Sequence, residues 1–339
     1  MEKKMKMKKF LAIIILSIIT IATFSCKNPP IFAAIEQEIK LKPASMRGIV
    51  RSIAACGSTL YTSDGELYTK KLGEKGKWEK TSEFKKITGL ASNGNTVYVA
   101  IVDKGVFTVA GIPIQGSEKI QTVFGDNKSA AYGVEKKGSN SKVYKISGNT
   151  LDSTGMEIEG AIKAATKDYL ISTKGAYKAG SALTGTPVKL QDGVQVNADL
   201  FVLTLEKLYA YNSGTQKWAS VEHTVPGAAC MTYWEDKNIL LIGGASGYGE
   251  VQLDSSDLTD LTKSKVYKSA GMFDGSSTPK EHVLQYNNML GKWTITNIAI
   301  FPISDPNRYV VYAGVGDPST RYSGLWGFYN PEQLEWNRE

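Results

Sequence analysis

The stretch Leu208-Tyr209-Ala210-Tyr211-Asn212, which leads through a polar turn to Trp218, contains the pattern that decides the fold. Inside a short alternating strand, an apolar residue is followed at once by an aromatic one. The same pair recurs at Leu67-Tyr68, Val106-Phe107, Val143-Tyr144, Ala176-Tyr177 and Leu325-Trp326, with Glu250-Val251 as a weaker member. Counted on the second residue of each pair, the successive steps in residue number are 39, 37, 33, 32, 42 and 75. These steps predict an internal repeat.

A repeat of roughly 40 residues built from short strands is typical of the blades of a β-propeller. Small residues on the first strand of a unit, as in Ile87-Thr88-Gly89-Leu90-Ala91, suit strands that converge on a central axis. The sequence therefore predicts an all-β fold, a single propeller of four-stranded antiparallel blades. The long last step, from Val251 to Trp326, favours seven blades with an insertion at residues 263–292. Eight blades are the alternative, because this step is close to twice the others.

A second motif places Tyr-Asn seven residues before a tryptophan, at Tyr211 to Trp218, Tyr286 to Trp293 and Tyr329 to Trp336. This motif resembles the third and fourth strands of kelch-type blades, and Ile242-Gly243-Gly244 resembles the double glycine that ends their second strand. We interpret the tyrosine and tryptophan pairs as packing between blades rather than as a binding site. Residues 35–41 are the candidate for a terminal strand that completes the ring, although residues 334–338 already supply an outer strand.

The segment 1–26 has the layout of an export signal. Five lysines precede an almost unbroken apolar run from Leu11 to Thr23, which is too short for a comfortable membrane span. Phe24 and then Ser25-Cys26 follow the run, and this junction resembles a bacterial lipoprotein signal, in which the cysteine is acylated and cleavage precedes it. We expect a signal peptide at 1–25, a lipidated tether at 26–34 and the propeller at 35–339. An ordinary secretory signal with an incidental Cys26 is the alternative.

Composition and charge narrow the classes of function. The 339 residues are 42% hydrophobic and 22% charged, which excludes a disordered chain and a bundle of membrane helices. Removing residues 1–25 reduces the formal charge from +7 to +3, because five lysines and one glutamate are lost. The remaining basic residues are scattered, so we expect no nucleic-acid partner.

The export signal, the stretch 35–41 and the ending Gly324-Leu325-Trp326 to Glu335-Trp336-Asn337-Arg338-Glu339 together resemble a group of spirochaete lipoproteins with predicted β-propeller bodies. The resemblance implies a location and a fold: a lipid-anchored protein of the bacterial cell envelope, on the surface or the periplasmic face of the outer membrane. It implies no active site.

The sequence contains few candidates for catalytic or metal-binding residues. The two histidines, His223 and His282, lack the spacing of a metal site, and Asp254, Asp257 and Asp260 lack the glycine and glutamate of a calcium loop. We therefore predict no catalytic residues, no metal and no cofactor. Cys56 and Cys230 each end a small apolar run, which favours free buried thiols, with a disulfide between them as the alternative.

Two classes of function remain. We expect a lipid-anchored monomer that acts as a binding scaffold for a protein or glycan, with Tyr267, Phe273 and His282 of the insertion as candidate ligand-binding residues. An envelope-assembly scaffold is a variant of this class. The alternative is a carbohydrate-active enzyme whose carboxylates come from different blades, which leaves no local signature.

Overall fold

The alternating segments fold as seven antiparallel sheets that follow one another along the chain. The computed structural model describes residues 44–46, 48–74, 78–267, 289–303, 309–317, 321–330 and 333–339. Blade 1 consists of β1 (Ser52–Cys56), β2 (Thr59–Ser63), β3 (Glu66–Lys71) and β4 (Glu79–Lys85). Blade 2 has β5 (Ile87–Ser92), β6 (Val97–Ile101) and β7 (Gly105–Thr108). Blade 3 has β8 (Thr122–Gly125), β9 (Ala131–Lys137), β10 (Asn140–Ser147), β11 (Thr150–Leu151) and β12 (Met156–Glu159).

The remaining four blades have four strands each. Blade 4 has β13 (Ile162–Ala165), β14 (Tyr169–Ser172), β15 (Gly175–Lys178) and β16 (Ser181–Ala182). Blade 5 has β17 (Asp192–Val196), β18 (Asp199–Leu203), β19 (Lys207–Asn212) and β20 (Lys217–Glu222). Blade 6 has β21 (Cys230–Trp234), β22 (Ile239–Gly244), β23 (Gly247–Gln252) and β24 (Lys265–Val266). Blade 7 has β25 (Ile295–Pro302), β26 (Tyr309–Val315), β27 (Gly324–Asn330) and β28 (Gln333–Arg338).

Two blades depart from the four-strand pattern at their outer edge. In blade 2 the fourth position is held by a short segment in which the Ile114 N–H donates to the Val106 carbonyl at 2.9 Å. In blade 3 the fourth position is divided, because β11 pairs with the end of β10 and β12 with its beginning. Short 3-10 turns at Glu235–Lys237, Leu261–Lys263 and Met289–Lys292 are the helical elements among the described residues.

The sheets are arranged as a ring, with the first strand of each blade innermost. First strands of neighbouring blades contact each other in sequence, and β1 of blade 1 contacts β25 of blade 7. Polar side chains link these strands: the Leu90 N–H donates to Ser52 Oγ at 2.8 Å, and Ser92 Oγ donates to the Ala55 carbonyl at 2.6 Å. The seven-bladed propeller is confirmed, and each apolar and aromatic pair of the repeat lies on the third strand of its blade.

The apolar core lies between the blades rather than within them. In β18, alternate side chains point to opposite neighbours, as the pleat of a strand requires. Leu200 and Val202 pack with Tyr169 and Ile171 of blade 4. Phe201 and Leu203 instead join a cluster with Leu240 and Ile242 of blade 6. Both faces of β18 are therefore buried, and its sequence reads as a continuous apolar run.

The three fragments in which Tyr-Asn precedes a tryptophan by seven residues do not all form the same hairpin. Tyr211 lies directly opposite Trp218 on β19 and β20, with ring centroids 5.0 Å apart, and Trp218 Nε1 donates to the Thr184 carbonyl of the connection from blade 4. Trp293 lies outside any such hairpin, because it follows a 3-10 turn and precedes β25. In blade 7 a register shift places Phe328, not Tyr329, opposite Trp336.

Because consecutive strands are antiparallel, the ring has two distinct ends. The top face is the end at which every first strand begins; it carries the connections between blades and the turns between second and third strands. Backbone hydrogen bonds link these top-face segments. The Lys189 N–H donates to the Thr173 carbonyl at 2.8 Å, and the Val102 N–H donates to the Lys86 carbonyl at 3.1 Å. The bottom face carries the turns between first and second strands and between third and fourth strands.

Candidate functional site

The inner edge of the ring contains little ionisable chemistry. Asp192, the first residue of β17, is the single acidic residue on the seven first strands, all of which the structure describes. Its Oδ2 accepts from the Met231 N–H of blade 6 at 2.7 Å, and its Oδ1 accepts from the Gly193 N–H at 2.8 Å. Burial of the carboxyl group raises the pKa of Asp192 to about 7. This carboxyl group joins two blades, and sequence reasoning missed it because its partner comes from a distant strand.

Of the predicted ligand-binding residues, Tyr267 is described and lies on the top face directly after β24. Its N–H donates to the Glu250 carbonyl at 3.0 Å, and its own carbonyl accepts from Thr224 Oγ1 at 2.8 Å. Burial, with a smaller contribution from Glu250, raises the pKa of Tyr267. Phe273, His282 and the predicted lipidation site Cys26 lie outside the described residues.

His223 is part of the connection between blades 5 and 6. Its ring is half-buried, and Nε2 lies 3.2 Å from the Thr204 carbonyl. Burial lowers the pKa of His223, so its neutral form is favoured. No group of three or more histidine, cysteine, aspartate or glutamate residues within the described ranges has the arrangement of a metal site.

Cys56 and Cys230 lie on the first strands of blades 1 and 6, and both are free. Cys230 is buried, as expected, with Sγ 3.7 Å from the Ile295 carbonyl. Cys56 is only half-buried, because the last residue of β1 adjoins the bottom-face turn at residues 57–58.

Asp254, Asp257 and Asp260 fix the shape of the loop between β23 and β24 on the bottom face. The Oδ1 atom of each accepts from the N–H and the hydroxyl of the residue two positions later, namely Ser256, Thr259 and Thr262. Those hydrogen bonds lower the pKa of all three carboxyl groups, so the loop is acidic over the whole physiological range.

An aspartate side chain also fixes the bottom-face turn between β8 and β9 through hydrogen bonds to backbone N–H groups. Asp126 Oδ1 accepts from the N–H groups of Lys128, Ser129 and Ala130 at 2.9, 2.7 and 2.9 Å. The backbone of this turn is therefore held in one conformation by a single carboxylate.

The two faces have opposite charge in the part of the chain that the structure describes. The difference lies in the connections other than the outer-edge segments 109–121 and 152–155 and the buried Glu339. The top face has seven basic and four acidic residues: Arg51, Lys86, Lys104, Lys174, Lys189, Lys292 and Arg321, against Asp64, Asp103, Glu206 and Asp317. The bottom face has four basic and eight acidic residues: Lys128, Lys167, Lys237 and Lys263, against Glu74, Asp126, Asp168, Glu235, Asp236, Asp254, Asp257 and Asp260.

A groove of about 430 Å³ lies on the outer half of blades 1 and 2. It is lined by Tyr61, Leu67, Thr69, Lys80, Thr81, Phe84 and Val109. Its single cation, Lys80, pairs with Glu66. The lining contains neither a carboxylate nor an imidazole; its ionisable groups are the Lys80 ammonium and the Tyr61 hydroxyl.

Seven antiparallel sheets around one axis define a seven-bladed β-propeller. The inner edge of this propeller is poor in ionisable groups. Among the described residues, no helix is long and apolar enough to cross a bilayer. The chain belongs to the TP013X lipoprotein family, whose model matches residues 5–339. It is therefore a cell-envelope lipoprotein with a propeller body, and the predicted resemblance to spirochaete lipoproteins is confirmed.

Two curated relatives are also lipoproteins. The chain is 28% identical to an uncharacterized lipoprotein of Treponema pallidum (strain Nichols), over 96% of both chains. It is 25% identical to a second uncharacterized lipoprotein of that strain, over 93% of both. Among solved structures, it is similar to the beta-propeller domain of Cps50 (Swd1) from Myceliophteria thermophila, with a TM-score of 0.42 and 11% identity over 87% of this chain and 88% of that one.

Proposed function

We propose that this lipoprotein is a binding scaffold outside the cytoplasm, held in the membrane by a lipid on Cys26 and presenting its bottom face to a protein or glycan partner. In this proposal residues 1–25 are removed on export and residues 26–34 form a tether. The observation that carries the proposal is the set of acidic bottom-face turns whose shapes are fixed before any partner arrives.

Fixed turns favour binding because a partner does not have to order them. Ordering one flexible side chain or loop residue on association costs about 0.5–1.5 kcal/mol, which a preformed surface avoids. The loop at residues 253–264 shows this, since Asp254, Asp257 and Asp260 each form hydrogen bonds within the loop. The Oδ2 atoms of Asp254 and Asp257 leave acceptor capacity for a partner with basic or hydroxyl groups, whereas Asp260 Oδ2 pairs with Lys263 Nζ at 3.2 Å. Charge complementarity then supports a basic protein surface or a hydroxyl-rich glycan.

The enzymatic alternative requires two carboxyl groups about 5–10 Å apart at the scissile bond. On the first strands that pair is missing, because Asp192 is their single acid and backbone N–H groups occupy both its oxygens. No observation on the described residues favours catalysis over binding.

The binding test uses the purified full chain and detergent extracts of the cell envelope. Asp254→Asn, Asp257→Asn and Asp260→Asn combined remove three charges but keep the side-chain oxygens that fix the loop. Asp103→Asn with Glu206→Gln is the matched control on the top face. We expect the triple variant to recover less protein or glycan than the wild type, and the control to recover the same amount.

A third variant lacks residues 269–287 and tests the insertion that the sequence predicted as a binding loop. Loss of binding in this variant alone assigns the partner to the insertion, which joins β24 to β25, and contradicts binding at the bottom face. Full recovery with all three variants contradicts the scaffold proposal. Separately, Cys26→Ser should release the protein from the membrane fraction, and mass spectrometry of the N-terminal peptide identifies the acyl chains.

A further inference from the structure

Exposed aliphatic side chains are concentrated on the top face. Among the described residues, five large apolar side chains are exposed, and four of them lie in top-face connections: Ile49, Val102, Val188 and Leu205, with 43, 39, 56 and 50% of their surface accessible. They are spread over blades 1, 2, 4 and 5 rather than gathered in one patch. A flat partner that covers the whole end of the ring explains this distribution better than a single docked peptide.

The top face also carries a stack of three aromatic rings between blades 6 and 7. Trp293 stacks on Tyr322 with ring centroids 4.8 Å apart, and Tyr322 stacks on the buried Trp326 at 5.7 Å. The rings of Trp293 and Tyr322 are half-buried. Tryptophan and tyrosine side chains are typical of the interface between membrane and water, where one edge is apolar and the other is hydrated.

The chain also joins the ring at this face. The Gly48 N–H donates to Asp64 Oδ2 at 3.3 Å, which places residue 48 beside the top-face turn of blade 1. The Ser45 N–H donates to the Glu339 carbonyl of blade 7 at 2.9 Å, and Ser45 Oγ accepts from the Trp78 N–H at 3.4 Å. The segment from Cys26 to Ala44 spans at most about 60 Å when fully extended. The described strands of the ring have at most eight residues, about 26 Å in length, so a tether of this length lets the top face reach the membrane without selecting that face. The charge and the exposed side chains of the top face favour it over the bottom face.

We infer that the top face lies against the anionic surface of the membrane that holds the anchor, so that the acidic bottom face points away from it. The inference rests on the proposed lipid at Cys26. The excess of basic residues on the top face provides the charge complementarity, because lysine and arginine are attracted to an anionic membrane surface. Each contact is weak, but the tether makes them intramolecular, so few are needed.

The orientation can be measured with two labels at opposite ends of one strand. Lys167 and Lys174 are both exposed lysines of blade 4; they precede and follow β14, Lys167 on the bottom face and Lys174 on the top face. Lys167→Cys and Lys174→Cys, each in a Cys56→Ser background, place a fluorophore at one site. The lipidated chains are reconstituted into vesicles of phosphatidylcholine and phosphatidylglycerol that contain a spin-labelled lipid as quencher.

We expect strong quenching of the label at 174 and little at 167. Equal quenching at the two sites, or stronger quenching at 167, overturns the inference. Vesicles of phosphatidylcholine alone should reduce the difference. If the top face instead binds a second copy of this chain, quenching at 174 is lost while cross-linking through that site appears, and this result also overturns the inference.

Matched variants separate the contribution of the face from that of the anchor. Lys104→Glu with Lys189→Glu should weaken quenching at 174, whereas Lys128→Glu with Lys237→Glu on the bottom face should not. Val102→Ser with Leu205→Ser should also weaken it, whereas Ile112→Ser, at an exposed aliphatic residue on the outer edge of blade 2, should leave it unchanged. If a top-face variant and its control weaken quenching at 174 equally, the inference is contradicted.

A separate arm keeps the inference testable if Cys26 carries no lipid. Residues 1–26 are replaced by a hexahistidine tag, and the chain is tethered to the same vesicles through a nickel-chelating lipid. Residues 44–339 form one compact unit, so this chain retains the whole ring. Quenching at 174 in this arm supports the orientation even if the lipidation proposal fails, and its absence overturns the orientation even if lipidation is found.

Discussion

The ammonium group of Lys70 and the side-chain carboxylate of Glu339 form a buried ion pair that joins the third strand of blade 1 to the residue following the last strand of blade 7. Trp78 Nε1 donates to the same carboxylate at 2.9 Å, and the Tyr329 hydroxyl donates to its other oxygen at 2.6 Å. Lys70 Nζ also donates to the Tyr329 hydroxyl at 2.8 Å. No strand is exchanged between these two blades among the described residues, so this network is part of what closes the ring.

Breaking the network from one side should strongly destabilise the protein. Lys70→Met leaves the Glu339 carboxylate buried without its cation, and removing one partner of a buried pair costs about 3–5 kcal/mol. We expect a corresponding fall in the free energy of unfolding, measured by urea titration. Adding Glu339→Leu to Lys70→Met should recover part of the loss, because the uncompensated charge is then gone.

The neighbouring lysine provides the control. Lys71 is largely exposed and pairs with Glu74 on the surface. Lys71→Met should change the free energy of unfolding by no more than about 1 kcal/mol, since exposed ion pairs contribute little. Similar losses at Lys70 and Lys71 contradict the role of the buried pair in closing the ring.

The repeat was predictable from the sequence because one physical requirement recurs in every blade. The third strand must supply large side chains to the space between blades, so residues such as Tyr209 and Trp326 recur at nearly constant spacing. That signal is local and periodic, and it predicted both the fold and the number of blades.

Spacing alone failed where the backbone departs from the repeat. Trp293 has the same spacing to Tyr286 as Trp218 has to Tyr211, yet it precedes a first strand. Asp192 and Glu339 gave no signal, because their partners Met231 and Lys70 lie 39 and 269 residues away. The difference in charge between the faces becomes visible only after each turn is assigned to one end of the ring.

Asp192 should make stability depend on pH in an unusual direction. Its folded-state pKa of about 7 lies above the ordinary value of 3.8, so the folded protein holds this proton more tightly. The stability contributed by the protonated carboxyl group is complete below about pH 3.8 and is lost as the pH rises towards 7. In urea titrations from pH 4 to pH 8, the wild type should therefore lose stability relative to Asp192→Asn as the pH rises.

Asp152 provides a control of opposite sign. Hydrogen bonds from the Thr154 hydroxyl and N–H lower the pKa of this exposed carboxyl group, so its contribution is lost as the pH falls. The wild type should lose stability relative to Asp152→Asn only towards acid pH. A constant difference between wild type and Asp192→Asn at all pH values would falsify the elevated pKa.

The double glycine at the end of β22 should tolerate no side chain. A Cβ atom on Gly244 would lie 2.5 Å from the Pro226 carbonyl oxygen and 2.7 Å from Val225 Cγ1, in the connection between blades 5 and 6. Gly244→Ala should destabilise the protein by about 1–3 kcal/mol through overpacking, measured as a lower urea midpoint. Gly214→Ala is the control, because its Cβ would meet only Asn212 Oδ1, at 3.4 Å. Equal losses at both glycines would count against this account.

The two thiols should differ widely in reactivity. Burial raises the pKa of the Cys230 thiol and the nearby Asp192 adds to this, so little thiolate forms, whereas Cys56 is half-buried beside a turn. Timed maleimide labelling of the native full chain, read by peptide mass spectrometry, should modify Cys56 early and Cys230 only after urea unfolds the ring. In Cys56→Ser the rapid labelling at this strand should vanish, and the labelling of Cys230 should stay slow. Rapid labelling of Cys230 in the native protein would contradict the packing of β21 against β25, and resistance of both thiols until reduction would show that they pair in solution.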